Sequence, residues 1–89
     1  MRIHIRIFAE SNNHIAESYI TIGDTYMRTV YSVLMMLNTI NSTSDRAEVG
    51  KVVCEMIDQI IDAGDIVDAY LDWTIHGYAD EYDIHVNRV

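Results

Sequence analysis

Apolar and polar side chains alternate along the first eight residues, with isoleucine at positions 3, 5 and 7. A period of two is typical of a strand with one buried face, so we predict a strand over residues 2–8. Residues 11–14 supply a turn, and the β-rich run of residues 15–22 follows it. The two runs together predict an N-terminal hairpin.

Two amphipathic helices are predicted in the middle of the chain. A capping sequence at residues 23–25 begins the first, whose apolar side chains recur at steps of three and four through Leu37. The second begins at Ser44, where Asp45 and Glu48 can form a capping box. Its apolar side consists of Val49, Val52, Val53, Met56, Ile57 and Ile60.

The helical periodicity continues past Gly64 as far as Leu71. The segment is therefore either one long helix or two helices joined at residues 63–65. We expect a break there, because glycine often ends a helix and Asp65 with Asp68 can begin a new one.

After Trp73 the pattern becomes β-type, with one run at residues 74–78 and another at residues 82–88 on either side of a polar turn. The order is ββααββ, or ββααβ if the first of these runs is only a loop. We predict a single α+β domain over residues 1–89. In it, an N-terminal hairpin and a C-terminal strand or hairpin form a small antiparallel sheet that two to three helices cover on one face.

Charge is distributed unevenly along the 89 residues, whose net charge is −8. Residues 45–83 hold eleven carboxylates against Arg46 and Lys51, whereas residues 1–44 are balanced. On a helix that continues through Gly64, six of these acids would form one linear array. They are Glu55, Asp58, Asp62, Asp65, Asp68 and Asp72. The array is either a solvated acidic face or a surface for a basic partner, with carboxylates standing roughly where phosphates would lie.

Tyr70 and Trp73 lie within this acidic half. Such residues either cover the core where helix meets sheet or serve as contact residues, since tyrosine and tryptophan are enriched at interface hot spots. We therefore predict that Tyr70 and Trp73 bind a partner together with the six acids of the array.

Oligomer formation is predicted from the first helix. Tyr31, Met35 and Met36 widen its apolar face beyond what one core needs. We expect a homodimer that uses these three residues.

Catalytic and cofactor chemistry is not expected. Cys54 lies in an apolar helical pattern, and no nucleophile motif or phosphate-binding glycine loop occurs. His4 and His85 would come together if the terminal strands pair, but a zinc site would need further ligands. We therefore predict no metal, no cofactor and no enzymatic activity.

Direct binding to nucleic acid is not expected either, because a net negative chain without a basic cluster repels phosphates. We expect no membrane span, since no apolar run is long enough. With one cysteine and no secretory signal, we expect a cytoplasmic protein.

In size, acidity and lack of a catalytic motif, the chain resembles the small phage-encoded inhibitors, including anti-CRISPR and DNA-mimic proteins. The resemblance implies an inhibitor in the cytoplasm of the producing or infected cell, which docks on the basic surface of a nucleic-acid-binding protein or complex. The alternative is a structural or assembly subunit that self-associates through the first helix and has no inhibitory role.

Overall fold

The computed structural model describes residues 1–22, 32–64, 66 and 68–89. The elements in chain order are strand β1 (Arg2–Ala9), strand β2 (Asn12–Thr21), a helical segment at residues 32–36 that leads into a 3₁₀ turn (Leu37–Thr39), a long helix (Thr43–Asp62), strand β3 (Tyr70–His76) and strand β4 (Glu81–Arg88). The predicted start of the first helix at residues 23–25 lies outside the described residues. Within the described part, no helix is long and apolar enough to cross a membrane.

The four strands form one antiparallel sheet in the order β2-β1-β4-β3, so the two central strands come from opposite ends of the chain. The alternation in β1 has the predicted effect, because Ile3, Ile5 and Ile7 are fully buried on one face. The long helix covers that face with Val53 and Ile57 among its buried residues. The predicted α+β class and the order ββααββ are confirmed.

The long helix begins at Thr43, one residue earlier than predicted. Ser42 is its N-cap, and the Ser42 hydroxyl oxygen accepts a hydrogen bond from the backbone N–H of Asp45 at 3.3 Å. The predicted capping box of Asp45 with Glu48 is therefore wrong. A hydroxyl three residues upstream takes the capping role, which leaves the Asp45 side chain free to contact another part of the fold.

That contact, the Asp45 junction, joins the start of the helix to the turn between β3 and β4. The Asp45 carboxylate is 2% exposed and accepts hydrogen bonds from the backbone N–H groups of Tyr78 at 2.6 Å and Ala79 at 2.9 Å. The hydroxyl of Tyr82 donates a third at 2.8 Å. Gly77 completes the junction, since a Cβ at this position would lie 2.7 Å from the carboxylate carbon.

Burial and hydrogen bonding act in opposite directions on the pKa of Asp45. Burial raises it, but the hydrogen bonds from Ala79, Tyr82 and Tyr78 together outweigh burial and hold the pKa below its ordinary value of 3.8. Burial, with the adjacent Asp45 carboxylate, raises the pKa of Tyr82 to about 12. At neutral pH the junction therefore holds a charged acceptor and a neutral phenol donor.

The helix ends at Asp62, and Gly64 follows in the left-handed conformation with φ of 64°. The guanidinium of Arg88 donates to the carbonyl oxygens of Gly64 at 2.6 Å and Ile66 at 3.4 Å. The predicted break at Gly64 is confirmed, because glycine adopts this conformation without strain and Arg88 binds the freed carbonyls.

The predicted second helix after the break is wrong. Asp68 lies in a turn, and β3 begins at Tyr70, four residues before the predicted strand. Asp65 lies outside the described residues. Pairing of β3 with β4 over Tyr70–His76 overrides the helical spacing of the apolar residues, because each pair adds ladder hydrogen bonds and cross-strand contacts.

Candidate protein-binding surface

A long depression, the helix–β3 trough, runs between the long helix and the edge strand β3. It consists of two adjoining grooves of about 280 Å³ and about 430 Å³, and Gln59 lines both. Val52 and Met56 form the apolar floor of the smaller groove, which Trp73 borders on the strand side. The larger groove continues past the end of the helix to Ile66.

Trp73 is the most prominent apolar residue of the trough. It pairs with the buried Ile84 of β4, so both side chains lie on the helix side of the sheet. Because β3 is at the edge, however, the helix does not cover Trp73, which is 61% exposed. Trp73 thus lies where the helix meets the sheet, but it is not one of the buried core residues. An exposed tryptophan beside an apolar floor is typical of a contact surface.

Carboxylates form the helix side of the trough. Glu48 and Glu55 line the smaller groove opposite Trp73, and Lys51 is the basic residue beside them. Glu55 also lies within about 60° of arc of Asp58 and Asp62, at 100° per residue. All these side chains are exposed, and neither ion pair found among the described residues involves the helix. Lys51 is thus the one basic residue that lines this groove, and it forms no ion pair with the carboxylates among the described residues.

The predicted linear array of six acids is wrong, because it required a helix that continues through Gly64. Glu55, Asp58 and Asp62 share the exposed side of the long helix, and Asp68 lines the larger groove from its turn. Asp72 pairs with His85, which places it on the opposite, open face of the sheet. The structure therefore brings Glu55 and Trp73 together and separates Asp72 from them.

Tyr70 also differs from its predicted setting. It is 48% exposed, and its hydroxyl shares a hydrogen bond with Nδ1 of His85 on the open face of the sheet. Glu48 is the residue of the trough that sequence reasoning missed as a binding residue. Its signal was present, since Glu48 and Glu55 are seven residues apart and therefore lie on one side of a helix.

The predicted dimer residues have different environments. Met35 is 53% exposed, as is its neighbour Leu34, whereas Met36 is half-buried against the core. Tyr31 lies outside the described residues. An exposed apolar patch at the end of the first helical segment thus consists of Leu34 and Met35.

The open face of the sheet carries the histidines that the sequence placed on the terminal strands. His4 stacks on Tyr19 with ring centroids 4.2 Å apart, and its Nε2 lies 3.0 Å from the carboxylate of Glu17. Arg6, not His4, pairs with His85 across the two central strands. In the described ranges, no three His, Cys, Asp or Glu side chains lie close enough to hold a metal ion.

Two side chains with nucleophilic potential, those of Cys54 and Ser11, have carboxylates close by. Burial, then the nearby carboxylates of Asp58 and Glu55, raise the pKa of the Cys54 thiol, so it stays protonated at neutral pH. The hydroxyl of Ser11 donates to Asp80 beside a polar cavity of about 220 Å³. That hydrogen bond is the main cause that lowers the pKa of Asp80, which makes this carboxylate a weak base.

Comparison of the chain with protein-family models, with curated proteins and with solved structures gave no match. The functional argument therefore rests on the trough itself.

Proposed function

We propose that this protein is a small acidic interaction module that docks on a basic protein through the helix–β3 trough. The observation that carries the proposal is the position of the exposed Trp73 opposite the unpaired carboxylates of Glu48 and Glu55. An apolar anchor within an acidic rim suits a partner surface that presents lysine or arginine around an apolar contact.

A nucleic-acid-binding protein or complex in the cytoplasm is the class of partner that this surface fits best. Such proteins keep a basic groove for phosphates, and a module of net charge −8 is attracted to it. Docking there would deny the groove to nucleic acid, so the module would act as an inhibitor without catalysis. Because the array is broken, we assign the contact to the trough, with its tryptophan, and not to a row of carboxylates spaced like phosphates.

The test begins by capturing the partner from the native host and measuring its association rate by surface plasmon resonance at increasing salt. We expect steep slowing with salt and about fivefold slowing for Glu55→Lys at low salt, because exposed charges steer encounter. Glu10→Lys is the matched control, since Glu10 is also an exposed glutamate but lies in the β1–β2 turn. We expect less than about twofold slowing for this control. Equal slowing by both variants would show that only net charge matters and would contradict docking at the trough.

A second candidate function, self-association as a structural or assembly subunit, is favoured by the exposed Leu34 and Met35. It predicts a homodimer in solution at about 100 μM that Met35→Lys dissociates. Light scattering on the wild type and this variant tests it. A monomer at that concentration would remove this candidate and leave the trough as the interaction surface.

A further inference from the structure

We infer that the free edge of β3 receives an extended basic segment of the partner as a fifth strand of the sheet. The inference rests on the proposed function, because it takes the helix–β3 trough as the docking surface and specifies how the partner occupies it. The argument has three parts, which concern the hydrogen-bonding groups of the edge, the side chains beside it and the charge of the occupant.

The outward-facing backbone groups of β3 follow from two hydrogen bonds at its ends. Arg88 N–H donates to the carbonyl of Ala69 at 2.9 Å, and Gly77 N–H donates to the carbonyl of Asp80 at 2.8 Å. In an antiparallel ladder, only every second residue of a strand forms backbone hydrogen bonds to a given neighbour. The N–H and C=O groups of the odd-numbered residues of β3 therefore bond to β4. The N–H and C=O groups of the even-numbered residues therefore point away from the sheet. These residues are Tyr70, Asp72, Thr74 and His76.

This edge has few of the features by which proteins block pairing. β3 pairs with β4 without a register shift over its whole length, and it contains no proline, lysine or arginine. The other edge, β2, also contains no proline, lysine or arginine, but its pairing with β1 shifts register between Ile7 and Ala9, close to the hairpin turn. Among the described residues, the edge that borders the helix–β3 trough is that of β3.

The side chains beside the β3 edge define what a fifth strand would carry. Such a strand would lie about 4.8 Å from β3, and its residues would alternate between the helix side and the open face. On the helix side they would meet Trp73, Glu48 and Glu55. Glu48 and Glu55 are about 10 Å apart along the helix, and neighbouring side chains on one strand face are about 7 Å apart. Two basic residues separated by one position therefore match this span within the reach of a lysine.

The charge of the side chains beside the β3 edge determines which kind of segment can bind there. A second copy that paired antiparallel over the whole of β3 would place Asp72 opposite Thr74, and it would place the acidic helices of the two copies on the same side of the sheet, where their charges repel. A lysine- or arginine-bearing segment instead finds Glu48 and Glu55 on the helix side, where they outnumber the single Lys51, and the face of Trp73 for a cation–π contact. The occupant that fits is thus an extended basic segment of another protein.

The experiment uses the full chain and an eight-residue peptide of alternating lysine and valine, at 50 mM salt and about 1 mM peptide. Amide hydrogen exchange, followed by NMR, reports each residue of β3 separately. We expect the even-numbered amides from Tyr70 to His76 to exchange about tenfold or more slowly when the peptide is bound. Leu71, Trp73 and Ile75 should change little, because their amides already bond to β4. The matched control is the same peptide N-methylated at every residue, which keeps the charges but cannot pair; we expect it to bind at least about tenfold more weakly.

Each remaining outcome overturns the inference. Equal binding of the two peptides, with weaker binding to Glu55→Lys but no alternating protection, would leave the basic docking surface intact and rule out strand addition. Failure of both peptides to bind would also overturn it, while the captured partner still tests the proposed function. Alternating protection that appears without peptide and grows with protein concentration would show that a second copy occupies the edge.

Discussion

Asp45 and Glu55 lie ten residues apart on the same helix, yet they have opposite relations to their surroundings. At the Asp45 junction the carboxylate is buried and accepts three hydrogen bonds from the β3–β4 turn and Tyr82. In the helix–β3 trough, Glu55 is exposed and has no ion-pair partner among the described residues. The comparison teaches that negative charge in this protein serves stability where donors surround it, and remains available for a partner where they do not.

The largest expected effect is on the junction. Asp45→Ala should lower Tm by about 10 °C or more, because three donors lose their buried acceptor. Asp58→Ala, which removes an exposed acid from the same helix, should change Tm by less than about 3 °C. Thermal unfolding followed by circular dichroism measures both. Similar Tm values for the two variants would mean that burial does not separate these carboxylates.

A steric change at the same junction should have the next largest effect. Gly77→Ala should lower Tm by about 5 °C or more, since the new Cβ would displace the Asp45 carboxylate. Gly50→Ala is the control, because its Cβ would meet only the movable Cδ1 of Leu37 at 3.1 Å. Combining Gly77→Ala with Asp45→Ala should cost less than the sum of the single changes, because the methyl group then has room. Full additivity would argue against contact between positions 45 and 77.

The free energy of unfolding should fall at both extremes of pH. Asp45 has a lowered pKa, so its stabilisation is present above its ordinary value of 3.8 and is lost as pH falls through the lower, folded-state pKa. Tyr82 has a pKa raised from 10 to about 12, so its contribution is present below pH 10 and is lost as pH rises towards 12. Urea unfolding across pH measures both. Tyr82→Phe should flatten the alkaline side, and it should also weaken the acid-side dependence in part, because the Tyr82 hydroxyl helps to lower the pKa of Asp45. If stability falls equally steeply at alkaline pH in Tyr82→Phe, groups other than Tyr82 cause that fall.

The smallest expected effect on stability comes from the trough. Trp73→Ala should shift Tm by less than about 3 °C, because 61% of this side chain is already exposed. It should nevertheless raise the dissociation rate of the captured partner about tenfold, as expected for a central aromatic anchor. Tyr78→Ala, at 94% exposure in the β3–β4 turn, is the matched control and should leave that rate unchanged. Faster dissociation of the partner from both variants would show that the contact does not lie in the trough.

Much of the fold could be predicted from local pattern. The alternation of isoleucines in β1 and the glycine at the end of the helix are signals within a few residues of sequence. The buried face of β1 and the break at Gly64, which they predicted, are both confirmed. The region after Gly64 could not be predicted in the same way, because its apolar spacing fits a helix as well as an edge strand. Only pairing with β4, a contact between distant parts of the chain, decides that Tyr70 begins a strand.

In the candidate site too, the residues with a local sequence signal could be predicted and those placed by distant contacts could not. Glu55 and Trp73 were predicted as binding residues and lie together, because helix spacing and aromatic content are visible in a sequence. The role of Asp45 was missed, since its partners Tyr78 and Tyr82 are more than thirty positions away and no local rule connects them. Asp72 was assigned to a helical array for the same reason, because only the pairing of β3 with β4 places it in a strand and on the open face of the sheet.

The position of β4 between β1 and β3 has a consequence for synthesis on the ribosome. Ile3 pairs with Arg88 and Ala9 with Tyr82, so the central ladder joins the first strand to emerge with the last. Until residue 88 has been translated, the β1–β2 hairpin has an apolar face and an unpaired inner edge, and two strands alone are marginally stable in water. Formation of the complete sheet therefore follows translation of β4, and we expect pairing between strands so far apart in the sequence to slow folding.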